Sequence, residues 1–181
     1  MTDEITLIEQ LQDQKTREVA FKHLISQYKE RLYWHIRKIV ISHDDADDVL
    51  QNTFIKIFKS INNFKGNSKL YSWMYRIATN EAITFINKKA KERNIDITDY
   101  QHQLVSNLDS DNWFSGDEIQ LILQKAIATL PQKQQLVFNM KYFDEMKYDQ
   151  ISEVLETSVG ALKASYHIAV KKIEQFIKNY N

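Results

Sequence analysis

The sequence predicts an all-α protein: two helical domains joined by a flexible linker. Three observations lead there. Glycine occurs three times and proline once in 181 residues, so there is little material for hairpin turns. Apolar residues recur at helical spacing from about residue 16 to 93, and again from Glu118 to Tyr180. Between these blocks, IDITDYQHQLVSNLDSDNWFSGD (95–117) is rich in Asp, Asn and Ser and has no sustained period. It reads as an extended acidic linker. The expected domains are therefore 1–94 and 118–181.

Bulk properties narrow the function. Cysteine is absent, which excludes disulfides and thiolate metal sites. The opening residues, MTDEITLIEQLQDQ, are acidic and lack the apolar run of a signal peptide. No stretch has the length of apolar sequence that spans a bilayer. A soluble cytoplasmic protein, not a membrane protein, is expected. The formal net charge is +0, but charge is segregated. Residues 65–93 carry Lys65, Lys69, Arg76, Lys88, Lys89, Lys91 and Arg93 against Glu81 and Glu92. The linker carries Asp96, Asp99, Asp109, Asp111 and Asp117 with no Lys or Arg. Such segregation sets local electrostatic partners.

The first helical pattern runs through Phe21, Leu24, Ile25, Tyr28 and Leu32. The next is HDDADDVLQNTFIKIF (43–58). Its DDADD fits the DDxxD pattern that holds magnesium and diphosphate in all-helical isoprenoid synthases. Such an enzyme also needs a large cavity and a second acidic motif, and neither is legible here. His43-Asp44 fits an HD-type phosphohydrolase no better, with five His in the chain and no ligand set. The aspartates instead cap and charge a helix N-terminus. At about 100° per residue, Leu50, Thr53, Phe54, Ile57, Phe58 and Ile61 share one face. Asp48, Gln51, Asn52, Lys56 and Lys59 share the other.

FKGNSKLYSWMYRIATNEAITFINKKAKER (64–93) is the most informative stretch. Gly66 marks a loop, and Tyr71, Trp73 and Tyr75 follow. On a helix, Trp73, Arg76, Asn80, Thr84, Asn87, Lys88 and Lys91 form one stripe; Met74, Ala78, Ala82 and Phe85 form a buried one. Rings that stack on bases, cations that track phosphates and an amide that reads a base edge are what single-stranded nucleic acid requires. The bland alternative, core aromatics beside solvated lysines, leaves Trp and Asn on the basic face without a reason.

In the C-terminal block, Pro131 suits the first turn of a helix. MKYDQISEVLE reads as a short amphipathic helix, Glu156-Thr157-Ser158 as a tight turn with Thr157 or Ser158 as N-cap. In the following helix Leu162, Tyr166, Ala169, Ile173 and Phe176 cluster on one side, and Lys163, Ala164, His167 and Lys171 on another. That pattern fits a helix-turn-helix and also a plain helical hairpin.

The order of these parts resembles a bacterial RNA polymerase sigma factor of the extracytoplasmic-function (ECF) type, which holds only sigma regions two and four. The resemblance rests on DADDVLQNTFIKIF, FKGNSKLYSWMYRIATNEA, TLPQKQQLVFNMKYF and YDQISEVLETSVGALKASYHIAVKKI, in that order. It implies a non-catalytic subunit without cofactor that binds core RNA polymerase and directs promoter recognition and melting. By position, it assigns Asp48, Gln51, Asn52 and Phe54 to core polymerase. It assigns Phe64, Lys69, Tyr71, Trp73, Arg76, Asn80 and Thr84 to the melted minus-10 element, with Tyr75 in the aromatic melting segment. Lys163, Ala164, His167 and Lys171 match the helix that enters the duplex at minus-35. It also implies an anti-sigma factor, often membrane-anchored, covering both regions. Two departures stand out. Asn67 occupies a loop position that is often acidic in the family. Ser165, Ile168 and Val170 stand where arginines are common, so minus-35 reading rests on Lys163, DNA shape and phosphate contacts. The rival is a stand-alone helix-turn-helix regulator, which leaves the Trp73–Asn80 stripe without a task.

Overall fold

The computed structural model describes residues 4–106 and 118–180, and among them every regular element is a helix. The chain divides into two compact units, with the boundary between Ile83 and Thr84.

The first unit is built from α1 (Glu4–Gln12), α2 (Arg17–Val40), α3 (His43–Ser60), one 3₁₀ turn (Ile61–Asn63) and the start of α4 (Leu70–Glu92). α2 and α3 form an antiparallel hairpin. Its corner is tight: Ile41 adopts φ 67° while its N–H donates to Arg37 O. Ser42 then caps α3, its hydroxyl accepting from the Asp45 N–H at 3.4 Å. The cap is thus Ser42, and Asp44 and Asp45 fill the first turn, where negative charge meets the positive end of the helix dipole. Leu24, Leu32 and Ile36 of α2 and Ile57 of α3 are fully buried, each worth about 1.5–3 kcal/mol of transfer free energy. Edge-to-face contact of Phe21 with Phe54 and Phe58 closes the seam.

α4 lays Met74, Ala78 and Ala82 into this core. Polar pairs fix its register. His35 Nε2 and Thr79 Oγ1 lie 2.9 Å apart in the buried α2–α4 seam, and Thr79 also donates to Tyr75 O. Lys56 of α3 pairs with Glu81 of α4.

The second unit begins within α4 and contains α5 (Ile97–Ser106), α6 (Glu118–Ala128), α7 (Gln132–Tyr142), α8 (Tyr148–Leu155) and α9 (Val159–Tyr180). α6, α7 and α8 pack on α9. Ala126, Ile127, Leu130, Phe138, Ala169 and Ile173 form the core, with Leu123, Phe143, Tyr166, Val170 and Phe176 against it. Leu162, Ala169 and Ile173 are buried as the periodicity predicts. Pro131 sits one residue before α7 and its carbonyl accepts from Gln134 and Gln135.

Three features add to or alter the reading of the sequence. The opening segment is helical: Leu7 and Leu11 of α1 are buried, too few apolar positions to show as a period. The linker is not extended in its first half. Residues 97–106 form α5, which packs on α6 and buries Tyr100, Gln101 and Val105. The rest of that segment, 107–117, lies outside the described residues. Third, the end of α4 falls in the second compact unit, which begins at Thr84. Among the described residues, no helix is long and apolar enough to cross a membrane, and no group of three or more His, Asp or Glu could hold a metal ion.

Candidate nucleic-acid interface

The loop between the 3₁₀ turn and α4 contains the first candidates. Phe64 ends the turn, its N–H donating to Ile61 O at 3.1 Å. Gly66 has φ 72° with open space around it, a backbone state that glycine adopts without strain. Lys65, Asn67 and Lys69 are exposed. Phe64 itself is buried and its ring packs on Trp73 at 5.1 Å. In the free chain Phe64 thus supports the tryptophan ring.

The aromatic cluster on α4 divides in the same way. Tyr75 is buried against the His35 ring at 4.8 Å. Tyr71 is half-buried between Tyr75 and Tyr28. Burial and the Glu4 carboxylate push the Tyr28 phenol above its ordinary pKa, and Arg31 opposes them in part. Tyr75 packs in the core because it shares the inward face of α4 with Ala78, Thr79 and Ala82, three, four and seven residues on. Trp73 and Arg76 are half-buried and Asn80 is exposed. Their spacing of three and four places these three along one side of α4. Thr84, further along the helix, is exposed.

On α3, Asp48, Gln51 and Asn52 are exposed on one face. Phe54 is buried against Phe21, four residues after Leu50 in the core stripe. Ile55 was missed. It is 46% exposed and follows Gln51 and Asn52 by four and three residues. An apolar residue at the centre of a polar face was the available signal.

The C-terminal pair has helix-turn-helix form. α8 ends at Glu156, which takes the left-handed conformation at φ 51°. Ser158 caps α9, its Oγ accepting from the Ala161 N–H at 3.4 Å. Lys163, Ala164, His167 and Lys171 are all exposed. Lys163 lies over the Tyr148 ring at 5.8 Å and Lys141 at 5.2 Å, so two cations gather at the start of α8. Burial pushes the Tyr148 phenol upward, with Tyr166 adding to the shift; it stays protonated and able to donate. Val170 packs on the core, which removes it from the groove-facing positions. Ile168 is 45% exposed beside Ala164 and Lys171.

These features define a class: an all-helical chain in two units that carries a cationic-aromatic helix face and ends in a helix-turn-helix. Residues 24–92 match the family model of sigma-70 region 2, and residues 120–173 that of sigma-70 region 4. The chain is 30% identical to the ECF RNA polymerase sigma factor SigW of Bacillus subtilis, over 82% of its own length and 83% of that protein's. It belongs to the ECF family of RNA polymerase sigma factors. Its fold is also that of CnrH in complex with the cytosolic domain of CnrY, with a TM-score of 0.73, full coverage of both chains and 18% identity. The sigma factor RpoE in complex with the anti-sigma factor NepR from Bartonella quintana superposes with a TM-score of 0.67 at 19% identity, over 87% of this chain and 96% of that one.

Proposed function

We propose that this sigma factor directs core RNA polymerase to promoters by capturing a melted minus-10 strand on α4 while α9 reads the minus-35 duplex. The observation that carries the reading is the alignment of Trp73, Arg76 and Asn80 along one side of α4. Opening a duplex costs a few kcal/mol for each base extruded. Stacking of a base on an aromatic ring returns roughly 1–3 kcal/mol, and only the open strand offers that face. Arg76 and Lys69 supply charge for phosphates, and Asn80 can pair with a base edge. Thr84 extends the track.

Asp48, Gln51 and Asn52, with Ile55 among them, form the surface offered to core polymerase. On α9, Lys163, His167 and Lys171 face DNA, and Ala164 leaves room for close approach. Ile168 can contact a thymine methyl, which suits a recognition helix without arginine. No step of this work needs a catalytic group or a cofactor. The remaining partner is an anti-sigma factor, as the sigma factor RpoE has in its complex with NepR; it would cover regions two and four, and the site of action is the cytoplasm, where the polymerase is. A dimeric regulator acting without polymerase would leave α3 and α4 unused.

The test is Asn80→Ala, assayed by run-off transcription with core polymerase on promoters varied at each minus-10 base. Preference at one base should change while polymerase affinity holds. Equal use of all variants by both wild type and mutant would refute the role.

A further inference from the structure

The loop carrying Lys65, Gly66, Asn67 and Lys69 is held at both ends by α1. At its entry, Gln12 Nε2 donates to Ile61 O at 3.1 Å and to Phe64 O at 2.9 Å. Arg17 braces the same corner: Nε donates to Leu11 O, and Nη2 to Gln12 O and to Asn62 Oδ1. At its exit, Glu4 Oε1 accepts from the Leu70 N–H at 3.1 Å. That amide opens α4 and has no partner within the helix, and a carboxylate there also meets the positive end of the dipole. The two anchors span opposite ends of one short helix, so the loop's ends are set by α1. Phe64, whose carbonyl Gln12 holds, packs its ring on Trp73. The clasp therefore positions the loop and the stacking ring together. α1 lies outside the matched region 2 segment, residues 24–92.

Between the anchors the loop has little to fix it. Gly66 has a left-handed backbone with nothing near it, and its neighbours Lys65 and Asn67 are exposed. We propose that Gln12 and Glu4 are positioning residues for minus-10 base selection: they hold the loop in one shape, so that a wrong base finds its polar edge unpaired. A released loop adapts to several bases and discriminates less. The proposal rests on the reading of this loop and α4 as the minus-10 site.

Gln12→Met keeps the stem and removes both donors; Glu4→Ala removes the acceptor from an exposed position. Ile5→Ala, at a residue that is 65% exposed on the same helix, serves as control. Each full-length variant is assayed with core polymerase on promoters carrying every base at each minus-10 position, alongside amide hydrogen exchange of residues 64–70 in the free protein. The two clasp variants should lower the ratio of transcription from best to worst base by roughly three- to tenfold. Loop amides should exchange faster, and polymerase affinity should hold. Faster exchange with an unchanged base ratio would overturn the proposal, as would unchanged exchange or an equal fall on every promoter. If the wild type shows no minus-10 preference, the loop is not the reading site, and the proposal falls with that assignment.

Discussion

Trp73 and Tyr75 are two residues apart and do different work. Trp73 keeps a partly exposed ring supported by Phe64, whereas Tyr75 is sealed against His35. The sequence placed three aromatics near one another; only the core on the α2 side decides which of them faces outward. Trp73→Ala should therefore impair strand opening with little effect on thermal stability. Tyr75→Ala should destabilise the first unit by about 3–5 kcal/mol, as large-to-small changes of buried rings do, seen as a lowered urea midpoint. The same logic applies to Phe54 and Phe64. Both stand in the motifs that carry the family resemblance, and both are buried in the free chain. At the turn of the helix-turn-helix, Ser158→Ala should cost about 0.5–1 kcal/mol, at the low end because the cap is long and exposed. Urea unfolding of the variant reads it directly.

Among the elements, α3, α4, α8 and α9 were legible because their periods are long or their caps strong. α1 and α5 were not. α1 contributes two buried leucines, and its main links to the loop are polar, which leave no periodic trace. α5 lies in a segment whose Asp and Asn content favours loops, yet tertiary contacts override that composition. Tyr100 is buried with the Arg93 guanidinium over its ring at 5.1 Å. Gln101 and Gln135 exchange side-chain hydrogen bonds at 3.3 and 3.2 Å, and Gln135 also donates to Leu130 O at 2.7 Å. Gln135→Ala would strip these partners from buried groups and should cost about 1–3 kcal/mol. A circular dichroism melt should show it as a lowered transition of the second unit. Two residues past the end of α4, Asn94 takes φ 58°, and the Ile95 N–H donates to Ala90 O. A β-branched residue cannot take that conformation cheaply, so Asn94→Val should lower stability by about 1 kcal/mol.

For the whole molecule, the formal net charge of +0 conceals a division of labour. The loop and α4 and the face of α9 are cationic, while α3 exposes the acidic and amide groups of Asp48, Gln51 and Asn52. Without a net positive field, non-specific attraction to duplex DNA is weak. The isolated chain should bind promoter fragments poorly at moderate salt and strongly only once polymerase presents both units. Tight, sequence-specific binding by the free chain, measured by fluorescence anisotropy, would contradict this. The two-unit architecture was readable from the gap in helical period, but the gap overstated the linker, because two buried apolar positions, Tyr100 and Val105, are too few to show as a period in a segment rich in Asp and Asn.

The most direct measurement is reconstituted transcription on a duplex promoter and on the same promoter with a pre-melted minus-10 bubble. Core polymerase with the wild-type chain should initiate at the promoter start site on both. Trp73→Ala should fall by roughly tenfold or more on the duplex, the equivalent of one lost stacking contact, and recover much of that loss on the bubble. Equal activity of Trp73→Ala and wild type on the duplex, or promoter-specific initiation by core polymerase alone, would contradict the account.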